Sequence, residues 1–92
     1  MTNAIVLLKV NKDRINEVAE AIVDLDGVSE VYSVAGQYDL AVVVRTGGDS
    51  QLASLVTEEI LKAEGIHSSE TLIAFRTYSR YDLEHMFSVG ME

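Results

Sequence analysis

The chain contains no cysteine, no proline and no tryptophan, and its 92 residues include only four tyrosines and two phenylalanines. Without cysteine, neither disulfides nor thiolate metal sites are available. Without proline, nothing interrupts a helix or a central strand from within. Cations are scarce as well: 7 Lys and Arg stand against 15 Asp and Glu, a formal net charge of −8. Few cations leave little to neutralise a phosphate backbone, so direct nucleic-acid binding is not expected. Long apolar runs are also missing. The longest are strand-sized and no charged segment precedes a longer one, so neither a signal peptide nor a membrane segment is expected, and the expectation is a cytoplasmic protein. What is present is 48% hydrophobic residues, enough for the core of one small domain. A chain of this size buries roughly 60–65% of its extended surface on folding.

The chain is organised around the stretch from Val28 to Arg45. Alternation predicts a strand over Val28–Ala35, with Val28, Glu30, Tyr32 and Val34 on one face and Ser29, Val31, Ser33 and Ala35 on the other. A second strand is predicted over Tyr38–Arg45, apolar on both faces. Between them Gly36 can take the positive φ of a tight hairpin, and Gln37 completes a two-residue loop. Asp39 interrupts the second strand. A carboxylate there has poor strand propensity and is expensive to bury, so it asks for a reason.

Before this hairpin, Ala4–Val10 reads as a strand covered on both sides, with Lys9 its one polar residue. Asn11 reads as a helix N-cap, and Asp13 sits in a first turn that favours negative charge. Ile15, Val18, Ala19, Ile22 and Leu25 then recur at helical spacing within Lys12–Asp26, and Gly27 stops the helix. After the hairpin, Asp49 or Ser50 would cap a second helix to about Glu64, with Leu52, Leu55, Val56, Ile60 and Ala63 as its apolar stripe. A last strand runs from Ile66 to about Tyr78. The segment beyond it, 79–92, reads as an arm or short helix whose Leu83, Met86 and Phe87 dock on a neighbouring subunit.

The order βαββαβ with right-handed crossovers predicts an α+β, ferredoxin-like fold: a four-stranded antiparallel sheet, order 4-1-3-2, with both helices on one face. The other face should be polar if it met water. Because both central strands are apolar on both faces, that face is expected to be covered by the same face of a second copy.

The Gly36-Gln37-Tyr38-Asp39 turn supports two readings. In one, Asp39 caps a neighbouring amide and Tyr38 packs. In the other, the turn is a small-molecule site: Gly36 permits close backbone approach, Asp39 meets an ammonium group, and Tyr38 supplies a wall and a hydroxyl.

With these residues in view, the chain resembles a known family. V-S-E-V-Y-x-V-x-G-x-Y-D at the hairpin, in βαββαβ order and followed by T-L-I-A-F in the last strand, resembles the RAM module, the regulator domain of Lrp/AsnC-type proteins. The resemblance runs from Ala4 to Tyr78, so 1–78 is read as the domain. It implies a non-enzymatic module that senses amino acids or related metabolites in clefts between dimers of a ring-shaped assembly, without a cofactor, in transcription regulation. It implies ligand contacts from Gly36, Tyr38 and Asp39, with Ser33 and Ala35 leading in, from Thr71 on the last strand, and from its neighbour Ser69. Transcription factors of the family carry a helix-turn-helix domain ahead of the module, whereas this chain starts at the first strand after Met1-Thr2-Asn3. It therefore resembles the stand-alone RAM proteins, with full-length Lrp/AsnC regulators as candidate partners.

Other features point to little chemistry. His67 and His85 lack metal-ligand spacing and read as rim histidines. No Ser/His/Asp or Cys/His arrangement is evident, and Glu58-Glu59 and Glu17/Glu20 read as solvated helix faces. The competing reading is a small dimeric ferredoxin-like enzyme, such as a cofactor-free monooxygenase, because fold alone does not decide function. Such an enzyme would need convergent His, Tyr, Asn or Trp groups inside the monomer, and the internal asparagines are only Asn11 and Asn16. An ACT-type sensor would place a glycine-bearing loop after the first strand, where this chain has Lys9-Val10-Asn11-Lys12.

Overall fold

Four strands and two helices follow one another as β1 (Thr2–Val10), α1 (Ile15–Val23), β2 (Val28–Ser33), β3 (Leu40–Thr46), α2 (Asp49–Ser54) and β4 (Ile66–Ile73). The computed structural model describes residues 1–78 and Arg80, so the expected docking of Leu83, Met86 and Phe87 lies outside the described residues. The strands form one antiparallel sheet in the order β2-β3-β1-β4. This is the ferredoxin-like arrangement expected from the βαββαβ order.

The core forms on the helix-covered face. Val6 and Leu8 of β1 and Leu40, Val42 and Val44 of β3 pack with Val18 and Ile22 of α1 and with Leu52, Leu55, Val56 and Ile60. These are the alternate strand residues and the helix stripes that periodicity singles out. Each fully buried aliphatic side chain contributes about 1.5–3 kcal/mol by leaving water. On the opposite face the pairings Ile5↔Leu72, Ile5↔Val43 and Leu7↔Ala41 bring five apolar side chains together without a helix above them.

Local boundaries differ from expectation for identifiable reasons. The register of the β2–β3 hairpin is the expected one from Glu30 to Ser33 and slips at Val28, which pairs with Val44; the ladder ends at Ser33↔Leu40 and a last bond from Val34 N–H to Asp39 O. The loop is thus four residues, Ala35–Tyr38, rather than two, because Asp39 turns towards β1. Gly36 has φ +136°, a conformation that L side chains rarely adopt. The first helix starts at Ile15 instead of Lys12. Asn11 does not cap it: Asn11 N–H donates to Gly65 O at 2.8 Å, its carbonyl accepts Arg14 N–H at 2.9 Å, and its side chain contacts His67.

The second helix is capped by neither Asp49 nor Ser50; Gly48 occupies the N-cap position, and the Asp49 carboxylate accepts the Thr2 hydroxyl at 2.7 Å. After Ser54 it widens into a π-helical turn over Leu55–Glu59 and closes in a 3₁₀ turn over Ile60–Lys62. Thr57 lies in the widened turn and donates its hydroxyl to Ala53 O at 2.7 Å, a back-bond of the kind that bends helices. The last strand ends at Ile73 rather than near Tyr78. Ala74 N–H still donates to Asn3 O, after which the chain is exposed to Tyr78.

Candidate functional site

Antiparallel pairing puts the end of β1 beside the start of β3 and the start of β4. Asp39 therefore meets Val10 and Lys12, and His67 meets Asn11. Together these segments border an open recess of about 500 Å³, lined by Lys9, Asn11, Lys12, Gly36, Asp39 and His67 among others.

Asp39 is the organising group. Its residue is only 9% exposed, yet both carboxylate oxygens have partners. Oδ2 accepts the Val10 N–H at 2.9 Å, and Oδ1 accepts from Lys12 Nζ at 2.5 Å. The Lys12 bond, then the Val10 amide, hold the Asp39 carboxyl below the usual carboxylate range, against the opposing effect of burial. Lys12 itself is 82% exposed, so it reaches in from solvent. Asp39 N–H also donates to Leu8 O at 2.8 Å, although the ladder pairs Leu8 with Leu40. Asp39, just ahead of β3, is thus tied to β1 by its backbone as well as by its side chain.

The residues named from the sequence divide into separate places. Gly36 and Asp39 line the recess. Tyr38 is half-buried, and its hydroxyl donates to Glu70 on β4 at 2.7 Å, which raises the phenol's pKa above its ordinary value. Ser33 lines a neighbouring hollow with Lys12, Asp13, Asn16 and Glu17. Ala35 is exposed in the loop, and Ser69 pairs with Leu8 across β1. Thr71 lies in a different, apolar groove between α2 and β4, beside Leu52, Ala53, Val56 and Ile73. Within one chain, Thr71 and Asp39 do not share a site.

Sequence reading passed over Lys9, Asn11, Lys12 and His67 as recess residues. The signal for them is topological: once the order βαββαβ is accepted, the end of the first strand must lie next to the start of the third and of the fourth. Among the described residues, no three or more His, Asp and Glu come together to hold a metal ion. No helix of the described residues is long and apolar enough to cross a membrane.

With this geometry in place, comparison with known proteins is decisive for the family. The family model of the Lrp/AsnC ligand binding domain matches residues 3–83. The chain belongs to this family. The crystal structure of TTHA0845 from Thermus thermophilus superposes with a TM-score of 0.81 at 45% identity, covering 87% of this chain and 100% of that one. The crystal structure of FFRP-DM1 gives 0.78 at 35% identity, over 82% of this chain and 100% of that one. An HTH-type transcriptional regulator of Pyrococcus furiosus is 33% identical over 79 residues, 83% of this chain and 53% of the regulator. The chain spans about half the length of the curated relatives it matches. It is a Lrp/AsnC ligand-binding domain of a regulator family.

Proposed function

We propose that this Lrp/AsnC domain is a non-enzymatic binding and assembly module that takes an amino acid or close analogue at the Gly36–Asp39 turn. The observation that carries the reading is the Lys12–Asp39 pair, an exposed cation 2.5 Å from a largely buried anion inside one recess. An α-amino acid is itself a pair of opposite charges. It can replace the internal pair by two pairs of its own, its ammonium on Asp39 and its carboxylate on Lys12 and the backbone N–H groups near Gly36. Lys12 is exposed and can be rehydrated on release, while the ligand ammonium takes over its place on the buried carboxylate. Asp39 stays in place meanwhile, held by the Val10 N–H.

The wider site is a cleft between dimers. Two copies would pair through the helix-free sheet face, and the dimers would close into a ring. In that setting Ser33, Ala35, Tyr38, Ser69 and Thr71 would shape the cleft, with Thr71 meeting the turn of another copy. The same contacts would let the module co-assemble with full-length Lrp/AsnC regulators.

Native mass spectrometry against an amino-acid panel tests this reading, since it reports oligomer mass and bound ligand together. Calorimetry then fixes the site. A charge-assisted hydrogen bond at a partly buried carboxylate corresponds to about 10- to 150-fold in affinity, so Asp39→Asn should weaken binding within that range. Binding unchanged in a folded Asp39→Asn variant would place the ligand elsewhere.

A further inference from the structure

We infer that the recess selects its amino acid by the side chain, taking one that ends in a carboxylate or carboxamide and discriminating against an aliphatic one. The inference rests on the amino-acid reading of the same site. Once Asp39 and Lys12 meet the ammonium and carboxylate common to every amino acid, the side chains that remain around the recess end in polar groups, although their carbon stems form much of its surface. Lys9 is exposed, and Gln37 brings an amide. Asn11 and His67 are already in contact with each other and present a second polar edge. Neither remaining neighbour provides an apolar wall: Val10 is 3% exposed and buried in the core, and Gly36 has no side chain.

Charge points the same way. Only 7 cations serve the chain, yet two of them, Lys9 and Lys12, line this recess with a single carboxylate, Asp39. A zwitterion uses Lys12 and Asp39, and Lys9, exposed at the same recess, can meet one more acceptor. A side-chain carboxylate satisfies that surplus charge, and a carboxamide oxygen satisfies the donor. An aliphatic group does neither, and covers hydrogen-bonding groups without replacing their water. A site built of donors rejects an isostere that lacks the acceptor far more strongly than an apolar pocket rejects a change of size. The recess opens to solvent along Lys9, Lys12, Gln37 and His67, so discrimination should be smaller than in a closed site.

L-leucine is close in shape to L-aspartate and L-asparagine, so calorimetry on these three ligands isolates side-chain polarity. The expected result is binding of aspartate and asparagine at least ~10-fold tighter than leucine, the scale of one charge-assisted hydrogen bond. Lys9→Met, and Lys9→Gln as a second variant, should remove most of aspartate's advantage, read as the ratio of aspartate to leucine affinity in the same variant, with circular dichroism confirming the fold. Leucine binding as tightly as aspartate, or an advantage untouched by both Lys9 variants, overturns the inference. If leucine wins and its binding depends on Asp39, the amino-acid reading stands and only the side-chain preference falls. If folded protein binds none of the three at millimolar concentration, the side-chain inference falls, and the amino-acid reading falls with it only if the full panel is also silent.

Discussion

Asp39 and Val10 are joined by a hydrogen bond that stands in for a rung of the sheet. Val10 N–H donates to Asp39 Oδ2 at 2.9 Å, at the end of β1, where the pairing with β4 also slips between Lys9 and Val10. Beyond Leu40, β3 no longer supplies a carbonyl at this position, and the carboxylate takes its place. The capping reading of the turn describes the folded chain. Asp39 does cap a neighbouring amide, and in doing so it is held, charged, at the edge of a recess.

This double role separates two substitutions. Asp39→Asn keeps an oxygen for the Val10 N–H and loses the charge that meets Lys12. Asp39→Ala loses both and leaves a buried donor unpaired, which is the more expensive change. Thermal melts should therefore rank wild type, Asn and Ala in falling order of stability, with a clear gap between Asn and Ala. Ligand affinity should fall already at Asn. Equal melting temperatures for the two variants would show that the Val10 bond contributes nothing.

The same carboxylate sets an acid dependence. Its pKa is lower in the folded chain than its ordinary 3.8, so folding favours the charged form. The contribution is then complete at neutral pH and above the ordinary value, and is lost as pH falls through the lower, folded value. Urea midpoints measured from pH 7 down to pH 3 should fall more steeply for wild type than for Asp39→Asn. Parallel acid limbs would remove Asp39 from the account.

The fold was legible because its signals are periodic. Val6, Leu8, Leu40, Val42 and Val44, with the stripes through Val18, Ile22, Leu52 and Leu55, follow strand and helix spacing and end in the core. Boundaries were less legible because they depend on partners far away in sequence. Asn11 has the right chemistry for a cap, but Gly65 and His67 engage it first. Asp49 has it too, yet its carboxylate is engaged by Thr2. At the site, Asp39 stood out as a charge in an apolar strand, whereas Lys12 and His67 carried no local mark and became visible only through strand order. Thr71, assigned to the same site by family resemblance, faces another groove within the chain.

The charge balance predicts no DNA binding by this chain of net charge −8. Neutralising a run of phosphates takes several clustered cations, and two of the seven are gathered at the recess. A mobility-shift assay at ~150 mM salt, where surface charges interact only within about 8 Å, should show no complex. A complex whose affinity falls steeply with salt would mean that several phosphates are contacted after all.

The adjacent residues Val42 and Val43 separate folding from assembly. Val42 is fully buried beneath the helices, while Val43 is half-buried on the opposite face, paired with Ile5. Ile5 and Leu72, 41% and 44% exposed, continue that surface, together with Leu7 and Ala41. A contiguous apolar patch of this kind on a small chain calls for a cover, and a second copy of the same face would provide one. Val42→Asp places an unpaired charge in the core, costs several kcal/mol, and should unfold the chain. Val43→Asp should leave circular dichroism intact and turn a dimer or larger assembly into a monomer in sedimentation velocity. If wild type sediments as a folded monomer at micromolar concentration, the sheet-face dimer is wrong. If the wild-type assembly persists in Val43→Asp, the chain assembles through another surface.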